Sequence, residues 1–396
     1  MGRENLMVAQ GHSIGRRFQA LSIFIGFLMG TQLMHWLPPP PPFSPSLNRA
    51  NYNQSYETNY FASLRSYEFL VKRAIQEGRI PVVVFGDSTI RGTGAVGRNV
   101  WTSRLEEEVR QADPRIMVIN YAQNAGDLLG PFLYYYLRAR YPDAYYVLQW
   151  SIAKEIGVRH PFHYWLTSEI ALRDGNSNPA VKLSFATVPV TTGEERDSFV
   201  LAGMNIATNF RDLGNWARYL FFGPLSVNSK RWPMLVPLSQ VQESDAEVSK
   251  FEPPHDQEMQ QLYRTMSLNE LNYRHTWLSK PFAERREYLA QAYPPMVRDH
   301  LLLFSLDWNP YYAPGNDSSL MSRSQEDWKQ LRREMATLDL NWVSLTYALD
   351  QVPLDDFADL GHLTPQGQEH LAGVIAPSLL RLLSLKSPVK GKVGLE

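Results

Sequence analysis

The sequence predicts an α/β fold on a mainly parallel sheet, and three features carry that expectation. Short apolar runs recur along the chain, stretches with helical periodicity separate them, and polar or glycine-containing loops follow the runs. Ile80 to Phe85 (IPVVVF), Arg115 to Tyr121 (RIMVINY) and Ala144 to Trp150 (AYYVLQW) are the first three runs. Each is nearly continuous in apolar character, as strands covered on both faces are. Between the first two, Trp101, Leu105 and Val109 recur at i, i+4 and i+8, with Glu106 and Arg110 on the polar face. Asp127 to Arg140 fills the next interval. The alternation resumes with His300 to Leu306 (HLLLFSL), a helix from about Ser324 to Leu338, and Trp342 to Leu345 within a fifth strand. Trp328, Leu331, Met335 and Leu338 form that helix's apolar stripe, and Ser324 with Asp327 resembles a capped start. The last helix begins near Pro365. Residues from about Glu155 to Arg298 interrupt the pattern and read as a mostly helical insertion or lid.

The N-terminus sets the expected location. Phe18 to Leu37 is a 20-residue stretch with no formal charge, long enough as a helix to cross about 30 Å of hydrocarbon. Arg16 and Arg17 precede it, so residues 1–17 are expected in the cytoplasm and the bulk of the chain outside. A cleaved signal peptide is the competing reading, but its apolar region would be only about 7–15 residues long. Gly26 and Gly30 would allow close packing of two such helices. Pro38 to Pro42 favour polyproline II, making 38–47 a semi-rigid spacer. The globular domain is then 48–385, with a helix-containing lead-in before Ile80 and the insertion at about 155–298. A basic tail with Lys386, Lys390 and Lys392 occupies 386–396. The 396 residues are 44% hydrophobic and 20% charged, enough for a sizeable core. A net charge of −1 gives no basic excess for a nucleic-acid partner, and the absence of cysteine removes disulfides, thiolate metal sites and a cysteine nucleophile.

Candidate chemistry falls at two strand ends. Gly86-Asp87-Ser88 follows the first strand, where open α/β sheets place ligands, and a glycine-containing loop from Thr89 to Arg98 comes after it. A serine hydroxyl needs a base to take its proton, and the base needs an orienting group. Asp359-Leu360-Gly361-His362 follows the fifth strand and a loop, and its two intervening residues let both side chains turn to one edge. Thr364 and Pro365 then supply an N-cap and first turn. Asp87 reads as a brace for its turn. His160 and His163 flank a proline with no carboxylate or further histidine near in sequence, a poor metal pattern, and His370 reads as a packing or solvent-facing residue of the last helix. Phe162, Tyr164, Trp165, Trp216, Tyr219, Phe221, Phe222, Trp232 and Trp277 in the insertion serve either a core or a stacking wall for sugar or lipid.

Gly-Asp-Ser after a first strand and Asp-x-x-His before a terminal helix, in that order, resemble the SGNH (GDSL) hydrolase superfamily. The resemblance covers 80–151 and 300–380. It implies a three-layer α/β/α, flavodoxin-like domain in which Ser88 is the nucleophile, His362 the base and Asp359 its orienting acid. The second block of the family resembles Asn120 to Asp127, which implies Gly126 as an oxyanion contact. The third block departs from it. Where the family shows Gly-x-Asn-Asp, the chain has Trp150-Ser151-Ile152-Ala153, and Asn124 is the nearest candidate replacement donor. The layout is also similar to that of the membrane-anchored D-alanyl-transfer protein of teichoic-acid D-alanylation and of SGNH-type exopolysaccharide acetyltransferases. It implies an extracytoplasmic esterase or O-acyltransferase acting on an acylated envelope polysaccharide or lipid, among envelope-biosynthesis proteins, with no metal or organic cofactor. The alternative from another class is a non-catalytic envelope scaffold that keeps the fold.

Overall fold

The computed structural model describes residues 64–91, 100–122, 129–152, 169–171, 173–174, 177–182, 225–227, 235–237, 257–294, 298–307, 318–346, 350, 352–357 and 361–384, with 21, 22, 26 and 29 near the N-terminus. The strands are β1 (Ile80–Phe85), β2 (Ile116–Asn120), β3 (Tyr145–Gln149), β4 (Leu225–Val227), β5 (Leu235–Pro237), β6 (Leu301–Leu306) and β7 (Trp342–Leu345). The helices are α1 (Leu64–Gln76), α2 (Ser88–Arg91), α3 (Trp101–Ala112), α4 (Gly130–Arg140), α5 (Pro179–Lys182), α6 (Gln257–Ser279), α7 (Phe282–Ala292), α8 (Ser318–Ala336) and α9 (Pro365–Ser384).

Five strands form one sheet in the order β2-β1-β3-β6-β7, and every neighbouring pair is parallel. β4 and β5 pair only with each other, antiparallel, so the insertion contains a small ribbon as well as helices. The five apolar runs lie in the five strands because both faces are covered. Side chains alternate between the faces: Val83, Phe85, Tyr146, Leu148, Leu301 and Leu303 join a core with α1, α4, α6, α7 and α8. Val82, Val84, Val147, Leu302 and Phe304 join a second core under α3 and α9. The expected stripe of Trp101, Leu105 and Val109 is fully buried in that second core.

Three expectations change. Glu106 is not on a solvent face: it is 1% exposed, and its Oε2 accepts the Val118 amide at 3.0 Å. The cause is the edge position of β2, whose outward N–H groups need an acceptor. α8 starts at Ser318 rather than Ser324, and Ser324 is a buried mid-helix residue whose hydroxyl accepts from Arg274 at 3.1 Å, so it is no cap. Thr89 to Arg91 belong to α2 rather than to a loop, and the rest of the expected loop, 92–98, lies outside the described residues. Of the two roles open to the insertion's aromatic residues, Trp277 takes the core: it is 2% exposed and packed edge-on against Trp150 and Tyr288. The other aromatic residues named in the insertion lie outside the described residues, as do His160 and His163. No described helix is long and apolar enough to cross a membrane. The expected span at 18–37 lies outside the described residues except for Leu21, Ser22, Gly26 and Met29, which are helical and exposed.

Candidate functional site

In this strand order the chain leaves β1 toward β2 on one side and returns to β3 on the other, so the crevice between the carboxyl ends of β1 and β3 is the switch point where such sheets place ligands. Gly86, Asp87 and Ser88 stand there. Asp87 caps α2, its Oδ1 accepting the Thr89 amide at 2.8 Å and the Ile90 amide at 3.3 Å. Gln149, the last residue of β3, holds Asp87 from the neighbouring strand. Its Oε1 accepts the Asp87 amide at 2.7 Å and its Nε2 donates to Asp87 Oδ2 at 2.8 Å. Ser88 is the first residue of α2, and its side chain lies outside what the structure describes.

The His362 end of the second motif is brought to the same edge. Beyond β7 the chain forms a 3₁₀ turn at Leu354–Asp356, and a bridge between Phe357 and Leu363 closes a loop. The Thr364 amide donates to the Asp356 carbonyl at 2.9 Å across its base. His362 lies in this loop, half-buried. Thr364 caps α9 as the sequence predicts, its hydroxyl accepting the Gly367 amide at 3.2 Å. A chain of hydrogen bonds then reaches the first motif. The Gln368 amide donates to Thr364 O at 2.8 Å, the Trp101 amide donates to Gln368 Oε1 at 3.1 Å, and the Trp101 indole donates to Ile90 O at 2.6 Å. Ile90 is two residues from Ser88, and Thr364 is two from His362. Asp359, Asn124 and Gly126 lie outside the described residues.

Sequence reading missed three groups here. Gln149 carried one signal, an amide ending an otherwise apolar run. Asp356 is 1% exposed and its Oδ2 meets His370 Nδ1 at 2.8 Å, so His370 is a partner of this turn rather than a free surface residue. Arg274 of α6 pairs with Asp307 at 3.2 Å beyond β6, donates to Ser324 and lies 4.5 Å over the Trp328 ring. A pocket of about 60 Å³ lies between these groups and the first motif, lined by Asp87, Gln149, Ser151, Glu270, Arg274 and Asp307 among others. Burial pushes the nearby Asp327 carboxyl up, against the pull of Arg274, Arg323 and His275. A larger cleft of about 610 Å³ opens at the opposite, amino end of the sheet beside Arg115, Asp143 and His300, away from both motifs. Among the described residues no group of three or more metal-ligating side chains occurs.

The segment from β7 toward the His362 loop carries its own charge anchor. Asp350 Oδ2 accepts from the Thr346 amide at 2.6 Å and from Arg332 of α8. Burial raises the Asp350 carboxyl, but the bonds from Arg332 and Thr346 outweigh it and hold the group below its ordinary range. A carboxyl depressed in the folded state stabilises above the unfolded-state value of about 3.9, and the contribution is lost as pH falls through the lower folded value. Asp350→Asn is therefore expected to melt earlier than wild type at pH 7, with the gap closing in strong acid. Thermal unfolding at both pH values checks it, and a gap that is constant with pH would contradict it.

A comparison with protein-family models finds no match, and a comparison with curated proteins finds none either. The functional reading therefore rests on the motifs and their placement.

Proposed function

We propose that the chain is a serine esterase or O-acyltransferase of the SGNH type, with a flavodoxin-like three-layer domain, held outside the cytoplasm by a span at 18–37. The observation that carries the reading is the placement of Gly86-Asp87-Ser88 at the β1/β3 switch point, linked by the Ile90–Trp101–Gln368–Thr364 chain to the loop holding His362. In the proposed reaction Ser88 Oγ attacks the acyl carbonyl of an ester on an envelope glycan or lipid, while His362 takes the hydroxyl proton. The ester C–O bond then breaks as His362 returns that proton to the leaving alkoxide, leaving an acyl-serine. Water, or an acceptor hydroxyl in a transferase, attacks it and regenerates Ser88. Asp359 fixes the imidazole tautomer, and the Ser88 and Gly126 amides, with Asn124, hold the oxyanion.

One observation favours a second reading, a non-catalytic scaffold. The pocket beside Asp87 is small, and two of its charges, Arg274 and Asp307, are paired with each other. Incubating the full-length protein with a fluorophosphonate probe separates the two readings. Covalent labelling is expected in wild type and absent in Ser88→Ala; an unlabelled wild type supports the scaffold. For the topology, a reporter fused after Glu396 is expected to be active only outside the cytoplasm, and activity confined to the cytoplasm would refute the anchor.

A further inference from the structure

We infer that Gln149 is a positioning residue for Ser88, acting through Asp87 from the strand end where the related block would place an oxyanion donor. This rests on the esterase reading of Ser88. The geometry is a two-point clamp between neighbouring strands. Phe85 and Leu148 are partners in the β1/β3 register, so Gly86 and Gln149 emerge side by side at the carboxyl edge. Gln149 is 6% exposed and both of its amide heavy atoms are spent on Asp87, one on the backbone N–H and one on the carboxylate.

What the clamp does follows from its partners. Asp87 uses one carboxylate oxygen for Gln149 and the other for the Thr89 and Ile90 amides, so the backbone on both sides of Ser88 is fixed to the end of β3. Gly86 leaves no room for an alternative path. A Cβ there would lie 2.6 Å from Ile90 Cβ and 2.7 Å from Gln149 Oε1. Without Gln149 the Asp87 amide loses its acceptor and the carboxylate a donor, so the cap on α2 loosens and the turn loses its reference to the rest of the sheet. A displacement of about 1 Å at a reacting group can cost on the order of a hundredfold in rate.

The amide matters because it donates and accepts at once. A carboxylate at 149 would keep the acceptor for the Asp87 amide and lose the donor, setting two carboxylates against each other. Such a pair shares a proton with one raised pKa, and the protonated form restores the donor. Among the described residues, the other charges around this pair are Glu270 and Arg274 of α6 and Asp307 after β6, with Arg274 paired to Asp307.

The test measures fluorophosphonate labelling rates of full-length wild type, Gln149→Ala and Gln149→Glu from pH 5 to pH 9, with amide exchange at Thr89 and Ile90 in the same samples. Gln149→Ala is expected to label roughly 10–100-fold more slowly and to lose protection at both amides. Gln149→Glu is expected to be slow at pH 8 and to approach the wild-type rate below about pH 6, where the shared proton returns. Titration of the catalytic base affects both proteins and cancels in their ratio. A ratio of Gln149→Glu to wild type that is flat with pH, or either variant labelling at the wild-type rate at pH 8, overturns the proposal. Should Gln149→Ala fail to fold, the recovery of Gln149→Glu in acid decides it. A wild type that never labels defeats the esterase reading and the positioning role together, whereas a labelled wild type with a flat ratio defeats only the positioning role.

Discussion

His362→Ala is expected to lower kcat for a chromogenic acyl ester by about 10⁴-fold or more, because a serine without its base is a poor nucleophile at neutral pH. Ser88→Ala should fall to the same floor. The informative variant is the double one. Groups that act as a unit are far from additive, so removing both should cost little more than removing either. If the two losses multiply, Ser88 and His362 do not act on one reaction coordinate. Folding must be checked alongside, since His362 sits in a loop anchored by the Phe357–Leu363 bridge and by Thr364. Near-ultraviolet circular dichroism, to which Trp101 buried beside that anchor contributes, checks the fold.

Gly367→Ala carries the largest expected loss of stability. A Cβ at 367 would lie 2.1 Å from the Asp356 carbonyl oxygen and 2.9 Å from its carbon, and both atoms are backbone that no rotamer change can move. Asp356 would have to shift. It accepts the Thr364 amide and holds His370, and Thr364 caps α9 through Gly367, so the shift breaks the cap and the base of the loop together. Overpacking costs about 1–3 kcal/mol and a lost cap about 1 kcal/mol more. The total, about 3 kcal/mol or more, should appear as a lower denaturant midpoint. Gly373→Ala on the same helix is the control: nothing lies within 4 Å of its added Cβ, and a gain of roughly 0.5–1 kcal/mol is expected. Equal effects at the two positions would mean that the close approach at Asp356 is not what Gly367 serves.

The sheet was legible because its signals are local. A run such as IPVVVF reports burial on both faces, and the stripe of Trp328, Leu331 and Met335 reports a covered helix. The Thr364-Pro365 start of α9 was legible for the same reason, a cap being a matter of three or four residues. Contacts that join distant residues left no such trace. Asp87 and Gln149 are 62 positions apart and Arg274 and Ser324 are 50 apart, so nothing local distinguishes Ser324 as a buried acceptor from Ser324 as a cap. Glu106 misled in the same way. Its polarity placed it outward, and only the edge position of β2 explains why a carboxylate turns inward to meet the Val118 amide. Of the candidate site, the strand end that carries Gly86-Asp87-Ser88 was readable, and the clamp that fixes it was not.

The pairing of Tyr146 with Leu301 joins segments that leave the ribosome far apart in time. β1, β2 and β3 lie within Ile80–Gln149, but the partner for the other side of β3 is made roughly 150 residues later. At about 5–20 residues per second, that interval is on the order of ten seconds. Throughout it, the open edge of β3 has no native partner, and the faces lack the cover of α6, α7, α8 and α9. Such an edge is a template for pairing with other chains. The long insertion that supplies α6 over the candidate pocket therefore also fixes the period during which a nascent chain depends on a chaperone or on rapid translation.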